Sequence, residues 1–445
     1  MNSNTEALLS NPPVIFSNKM GFILSCAGSA VGMGNIWLFP YRLGQYGGAA
    51  FLIPYILFII LFSFVGLSGE FALGRLTRTG PIGAFEWIFK QKGKKGGTFL
   101  GLIPLVGTMG VAIGYAIIIG WVFRTCIGFA TGTIFQMDST VYFSQATSNF
   151  GSIFWHFAVV AITMIILFKG VTKGIERCNK ILMPIFFLLF IFVACYVFFL
   201  PNALEGYQYL LFPRWEYLFR IDTWVMAMGQ AFFSLSISGS GMVICGSYLN
   251  KKENIKHLAA LTGLLDTIAA LIAGFAIIPA VYAFGMDTMS GPPLLFITLP
   301  KVFEQMSYGG ILGFLFFTAV FFAGLTSLIT LFEVSVEAGM KKLHLKRYQS
   351  VFLIGSVAFF CGIFFESESS VGKLMDIITV YIVPFAALLC SFMIFWVLGT
   401  KEIEKELNTG AQKKIGKVYC FTAKYIYVFL AFAVFVLGIL YGGIG

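Results

Sequence analysis

The chain has 445 residues, of which 58% are hydrophobic and only 11% charged, and its mean hydropathy is +0.88. A water-soluble protein of this length could not bury so much apolar surface, so the composition excludes a soluble enzyme or binding module and requires a lipid bilayer as part of the solvent. The net charge of +10 is spread over alternate loops, which argues against a nucleic-acid partner.

Apolar stretches long enough to cross a bilayer follow one another along the chain. We predict eleven membrane-spanning helices, at residues 19–42, 47–75, 98–128, 151–169, 178–200, 223–249, 255–286, 308–340, 350–365, 373–399 and 420–443. Lysine and arginine concentrate after the even-numbered spans, as at residues 90–95 and 341–347. The positive-inside rule then places the N-terminus in the cytoplasm and the C-terminus outside. The prediction is an all-α, multi-pass protein of the cell (inner) membrane, with one transmembrane domain over residues 1–445.

Two of these spans are interrupted by short runs of glycine and serine, at residues 28–34 and 238–241. Hydrocarbon offers no substitute for a lost backbone hydrogen bond, so an unwound segment must face protein, a cavity or a ligand. Two such breaks in corresponding positions indicate the midplane binding site of a transporter. Pairing the two spans predicts inverted five-helix repeats at 19–200 and 223–399, with an extra helix at 420–443.

Nothing in the sequence favours an enzyme. The three histidines, His156, His257 and His344, are far apart, and no nucleophile–base pair or metal-ligand spacing emerges. A nucleotide-binding loop is also lacking, so transport should not consume ATP directly. The sequence predicts no oligomeric state.

Four motifs then point to a family. Residues 27–41 (AGSAVGMGNIWLFPY), 70–75 (EFALGR), 230–236 (QAFFSLS) and 322–327 (FAGLTS) resemble the first, second, sixth and eighth helices of the neurotransmitter:sodium symporters. The matches occur in the family's order over about residues 19–400. The resemblance implies the fold of the bacterial leucine transporter and sodium-coupled amino-acid import by alternating access.

The resemblance also implies two sodium ions, held by the oxygen ligands that hard cations prefer. One site would use Gly28, Val31, Ala323, Thr326 and Ser327. The other would use Ala30, Asn35 and Ser234, completed by the substrate carboxylate. The alternative for the hydroxyls of the first site is ordinary packing of small residues between helices.

Asp266 falls in the seventh span, where the family places a sodium-ligating asparagine. A carboxylate at membrane depth is costly and indicates a functional site. Asp266 is therefore predicted to join the second sodium site, to supply the fixed negative charge that makes transport chloride-independent, and to be a candidate proton carrier. The alternative is a protonated acid that is hydrogen-bonded between helices.

By the same resemblance, the substrate carboxylate would meet the amides of Met33 and Gly34 and the hydroxyl of Tyr115. The ammonium group would meet the carbonyls of Ala30 and Phe233, together with Ser236, close to Ser234. The remaining pocket residues would be Val111, Ile118, Phe233, Gly239 and Leu331.

Gly239 stands where the leucine-transporting relative has a phenylalanine. The loss of that ring predicts a larger pocket that suits an aromatic amino acid such as tyrosine or tryptophan. Alternatively, Gly239 serves only the unwound backbone. Import of aliphatic amino acids or amines, or a sensor that binds without transporting, also remains open.

The gates depart from the family pattern. Leu38 replaces the usual arginine of the first helix, and Arg42 lies one helical turn further on. Arg42 is predicted to bridge Asp376 of the tenth span, directly or through water; the alternative is an arginine that snorkels to the interface. The arginine and tryptophan of the family's inner gate are missing, and Pro13 and Phe16 stand near their places.

Overall fold

The computed structural model describes residues 15–286 and 291–444, and within these ranges the secondary structure is helical without strands. Pro13 therefore lies outside the described residues. The membrane segments correspond to the eleven predicted spans. They are α1a (Lys19–Ala30), α1b (Gly34–Gln45), α2 (Ala49–Thr77), α3 (Gly97–Thr131), α4 (Ile153–Phe168), α5 (Val171–Phe198), α6a (Ile221–Ser234), α6b (Gly241–Ser247), α7 (Ile255–Ala283), α8 (Gly309–Lys342), α9 (Arg347–Phe365), α10 (Glu368–Asn408) and α11 (Lys417–Leu440).

Eight of the described helices are long and apolar enough to cross a membrane, and the bent pair α1a and α1b makes a ninth span. The two remaining spans are short: α4 has 16 residues, and α6 is divided into pieces of 14 and 7 residues. Short helices connect the spans. They are Pro81–Gln91, Ser139–Ala146, Ala203–Leu211 and Leu299–Gln305.

The first span breaks where glycines permit it. The Asn18 side chain caps α1a by accepting a hydrogen bond from the Gly21 amide at 2.8 Å. The helix ends at Ala30 because Val31 takes an extended conformation, and α1b leaves at 61° to α1a. The predicted break is therefore present, and it lies in the second half of the glycine-rich run.

The break in the sixth span is wider than predicted. Helix α6a ends at Ser234 and α6b begins at Gly241, so residues 235–240 are unwound, including a part of the QAFFSLS motif. Ser236 and Gly239 have positive φ values of +53° and +71°, which end the helical path. The freed amide of Gly239 donates to Glu70 Oε1 at 2.8 Å, so a carboxylate of α2 replaces a lost backbone partner.

The two broken spans lie inside the bundle. Helix α1a packs against α5, α7 and α8, and α6b packs against α2. The long helices α3 and α8 form an extensive contact with each other beside them. Unwound backbone is thus enclosed by protein and kept away from lipid, as hydrocarbon requires.

Candidate functional site

The carbonyls freed by the first break converge on one hydroxyl of α8. Ser327 Oγ lies 3.0 Å from the Gly28 carbonyl oxygen and 2.8 Å from that of Val31. Thr326, the next residue, donates to the Ala323 carbonyl at 3.0 Å and lies against Gly28. The structure therefore brings together all five residues predicted for one sodium site at a single contact between α1a and α8.

The second predicted ion site is a compact buried cluster of three polar side chains. Asn35 Nδ2 donates to Asp266 Oδ1 at 2.7 Å and to Ser234 Oγ at 3.0 Å. Ser234 Oγ in turn donates to Asp266 Oδ2 at 2.6 Å. All three are nearly inaccessible, at 5% exposure or less. The carboxylate of α7 thus joins the two broken spans, and its hydrogen bonds offset part of the cost of its burial.

The two breaks also contact each other directly. Ser236 Oγ donates to the Ser29 carbonyl at 2.9 Å. Gln230 Nε2 of α6a reaches the Gly34 carbonyl, where α1b begins, at 3.3 Å. Ala30, the last residue of α1a, lies beside this contact in the chain. The unwound segments therefore form one midplane structure in which backbone and hydroxyl oxygens of both spans face the same region.

Tyr115 of α3 lies over the first break. Its hydroxyl accepts a hydrogen bond from the Met33 amide at 2.8 Å. Met33 and Gly34 stand at the start of α1b, where backbone amides and the helix dipole favour an anion. The predicted members of a carboxylate-binding group are consequently adjacent.

Gly32 is required by this arrangement, and Gly32→Ala tests it. A Cβ at residue 32 would overlap the Tyr115 hydroxyl. Overpacking costs about 1–3 kcal/mol, so we expect the KM for substrate to rise about tenfold or more. Uptake kinetics measure the effect. Gly274→Ala in α7 is the control, because a Cβ there meets only Pro40 at 4.0 Å; equal KM values for the two variants would contradict the expectation.

The pocket prediction for Gly239 needs correction. Ile118 is buried, and Val111, Phe233 and Leu331 are half-buried. A Cβ at Gly239, however, would lie 2.6 Å from Cys390 Cβ and 3.2 Å from the Ala386 carbonyl oxygen, so this position faces α10. The missing side chain therefore does not enlarge the site between the breaks. Gly241 faces the first break instead, since a Cβ there would lie 3.7 Å from Ser29 Oγ and 3.7 Å from a methyl group of Thr330.

The direct bridge between Arg42 and Asp376 is not formed in this structure. Arg42 Nη1 donates to Gln230 Oε1 at 3.1 Å and to the Ile444 carbonyl at 2.7 Å. Arg42 is buried, so it does not snorkel, whereas Asp376 is exposed. The Gln230 amide of α6a and the Ile444 carbonyl beyond α11 satisfy the guanidinium inside the protein.

Comparison with known proteins agrees with this geometry. The model of the sodium:neurotransmitter symporter family matches residues 14–134 and 125–442. An uncharacterized sodium-dependent transporter of Bacillus subtilis (strain 168) is 34% identical over 437 residues, which cover 94% of this chain and 95% of the relative. This chain belongs to the sodium:neurotransmitter symporter family. It is therefore a membrane transporter of a sodium-dependent family, and not an enzyme.

A neutral amino acid transporter and a solved complex with an amino acid are also similar to this chain. The sodium-dependent neutral amino acid transporter B(0)AT3 of Rattus norvegicus is 31% identical over 294 residues, which are 59% of this chain and 47% of the relative. The crystal structure of MhsT in complex with L-phenylalanine superposes with a TM-score of 0.84 at 30% identity, covering 96% of this chain and all of that one. The predicted fold, with two broken helices, is confirmed.

The symporter also has buried polar contacts that the sequence did not predict. Glu176 of α5 is 1% exposed and accepts hydrogen bonds from the amide of Ser17, at 2.8 Å, and from its hydroxyl. Glu333 of α8 accepts from Tyr248 at 2.6 Å and pairs with Arg347 at 2.7 Å. Phe16 packs edge-on against Tyr248. An acid within an apolar span was the available signal for Glu333, whereas Glu176 lies just before the predicted fifth span and gave no such signal.

Proposed function

We propose that this symporter imports a hydrophobic, aromatic amino acid together with two sodium ions and without chloride. The observation that carries the proposal is the junction of the two breaks. A carboxylate-binding end of α1b, covered by Tyr115, adjoins the Asn35–Ser234–Asp266 cluster through residues 33–35. A substrate carboxylate on the Met33 amide would therefore be close enough to the cluster to share an ion with it.

One sodium ion would bind among the carbonyls of Gly28, Val31 and Ala323 and the hydroxyls of Thr326 and Ser327. Neutral oxygens suit this ion because they replace its hydration shell without adding charge to the membrane core. Ser327 now donates to two of those carbonyls. An ion that bound there would take over these carbonyls, and Ser327 would turn its lone pairs toward it.

The second ion would bind between Asn35, Ser234 and Asp266. The Asn35 amide now presents its Nδ2 to the carboxylate, while its Oδ1 accepts from the Gly32 amide at 3.0 Å. Sodium would replace this NH₂ group as the partner of Asp266, and the amide would rotate to present Oδ1. Binding of the ion would thereby free the Gly32 amide beside the carboxylate-binding end, which couples ion binding to substrate binding.

The buried position of Asp266 supports transport that does not depend on chloride. A buried negative charge next to a sodium ion does the electrostatic work that a bound anion would otherwise do. Each positive charge that crosses the full membrane potential contributes about 2.3 kcal/mol per 100 mV, so two coupled ions can drive strong accumulation. The charge bias further supports insertion in the cell (inner) membrane with a cytoplasmic N-terminus and an external C-terminus.

An aromatic substrate is supported by the likeness to MhsT, whose structure holds L-phenylalanine. An amine is less favoured, because the first break carries Ser29 and no acid to pair with an ammonium group. A hydrophobic pocket separates similar side chains by only about 10–200-fold, so several hydrophobic amino acids should compete.

A competition panel in proteoliposomes tests the proposal. An inward sodium gradient should drive concentrative uptake, and an excess of phenylalanine, tyrosine or tryptophan should inhibit it more than leucine, alanine or glycine. Replacement of chloride by gluconate should leave the rate unchanged. Uptake without sodium would refute the coupling. Stronger inhibition by leucine or an amine would refute the aromatic substrate, and sodium-dependent binding without uptake would favour a sensor.

A further inference from the structure

The segment after α11 folds back into the protein. Beyond Leu440, the chain turns at Gly442 and Gly443, whose φ values are +66° and +122°. The Gly443 amide donates to the Gly438 carbonyl of α11 at 2.8 Å, which stabilises the turn. Ile444 then lies in the hydrophobic core at 1% exposure. We call residues 441–444 the strap.

The strap packs against a glycine of α6a. A Cβ at Gly229 would overlap the carbonyl oxygen of Ile444 and lie 2.7 Å from its Cβ, so the backbones approach as closely as only glycine permits. On its other side, the Ile444 side chain would meet a Cβ at Gly438 at an ordinary 3.9 Å. The strap thus joins α11, which lies outside the two repeats, to the first half of a broken span.

The strap also completes the environment of Arg42. The Ile444 carbonyl accepts from Arg42 Nη1 at 2.7 Å, and Gln230 Oε1 accepts from the same nitrogen at 3.1 Å. Gln230 in turn donates to the Gly34 carbonyl at 3.3 Å. A row of three hydrogen bonds therefore connects the strap to the start of α1b, where the substrate carboxylate is proposed to bind.

The partners of Arg42 make this connection reversible. Within the described residues, Arg42 forms no ion pair with a carboxylate; its acceptors are the neutral oxygens of an amide and a backbone carbonyl. Hydrogen bonds to neutral acceptors hold a guanidinium less strongly than a bidentate carboxylate does. Movement of α1b and α6a away from α11 would break the bond to the Ile444 carbonyl, and water would then solvate both Arg42 and that carbonyl.

We propose that the strap is the outer gate of this symporter. When it is docked, it joins α11 to α1b and α6a and closes the path to the substrate site at the end of the molecule that the charge bias places outside. When it leaves, the path opens and Arg42 becomes free to reach Asp376. This inference rests on the proposed function, because it assigns a gate to the same substrate site.

Gly229→Ala is the displacing variant, and Gly438→Ala is its matched control. The first places a methyl group where the strap backbone lies, whereas the second makes only an ordinary contact with Ile444. We expect Gly229→Ala to lower uptake about tenfold or more while sodium-dependent substrate binding persists, because a transporter that cannot close its outer gate binds but does not cycle. Gly438→Ala should transport at the parental rate.

Deletion of residues 441–445 separates a gate from local packing. If Gly229→Ala acts through the strap, the deletion should lower uptake to the same extent, and adding Gly229→Ala to it should have no further effect. Hydrogen exchange of the Gly443 amide reports docking without any transport; it should become faster in Gly229→Ala and stay unchanged in Gly438→Ala. Uptake at the parental rate by the deletion variant, or unchanged hydrogen exchange of the Gly443 amide in Gly229→Ala, would refute the proposal that the strap is the outer gate. Absence of sodium-dependent uptake in the parental protein would overturn the proposed function instead.

Discussion

Asp266→Asn is expected to abolish sodium-driven uptake in chloride-free buffer. The carboxylate accepts hydrogen bonds from Asn35 at 2.7 Å and Ser234 at 2.6 Å, and it is fully buried. Asparagine removes one acceptor oxygen and the charge that strengthens both hydrogen bonds. Hydrogen bonds to a charged group contribute about 1.5–3 kcal/mol each, so this loss predicts a fall of about a hundredfold or more. Initial rates in proteoliposomes measure this loss, and added chloride should restore part of it by replacing the missing charge.

Asp222→Asn is the matched control for this substitution. Asp222 is an aspartate in the first turn of α6a, partly exposed, and pairs with Arg220 at 2.8 Å. A partly exposed pair of this kind contributes about 0–1 kcal/mol, so its uptake should stay near the parental rate. Chloride-independent uptake at the parental rate by Asp266→Asn would show that Asp266 is only a buried, hydrogen-bonded acid.

Ser327→Ala is expected to weaken sodium binding while the amino-acid site stays intact. The hydroxyl contacts the carbonyls of Gly28 and Val31, which the first break has freed. Its removal takes one oxygen ligand from the proposed ion site, and the loss of an interaction with a charge, about 1.5–3 kcal/mol, predicts a rise of about ten- to a hundredfold in the half-saturating sodium concentration. Uptake rates measured against sodium at saturating substrate give this value.

Ser335→Ala provides the control on the same helix. Ser335 is also a buried serine of α8, but its hydroxyl contacts Met109 Sδ at 3.6 Å and no freed carbonyl. The sodium dependence of uptake by Ser335→Ala should match that of the parental protein. If both variants require the same higher sodium concentration, the effect belongs to helix packing between α8 and its neighbours, and the ion site must be placed elsewhere.

The residues proposed to bind sodium were named from the resemblance of their motifs to those of the family. Glycines at 28 and 32 mark where α1 unwinds, and the paired hydroxyls of Thr326 and Ser327 mark the polar face of an apolar helix. The structure brings these segments together, with Ser327 Oγ at 2.8 Å from the Val31 carbonyl. A break that frees carbonyls in a membrane requires a nearby polar partner, so few arrangements were open to the chain.

The roles of Gly239 and Arg42 were predicted less well. The direction of a missing side chain depends on the φ and ψ angles of an unwound backbone, and the +71° value at Gly239 turns that position toward Cys390. The side chain of Arg42 is long enough to reach several partners. Its acceptors, Gln230 and Ile444, lie 188 and 402 residues away in the chain. The spacing of residues along a helix predicts neither the direction of Gly239 nor the partners of Arg42, because both depend on contacts between separate spans.

The sequence by itself determined that this is a multi-pass helical membrane protein with two broken spans. Those properties follow from local composition and from the need of each backbone group for a partner in hydrocarbon. The oxygens proposed to bind sodium were indicated by the family resemblance. Only the tertiary structure decided that Asp266 joins Asn35 to Ser234, that Gly241 faces Ser29, and that the strap reaches Arg42. These contacts depend on how helices that are distant in sequence pack, and on side-chain directions that the packing alone selects.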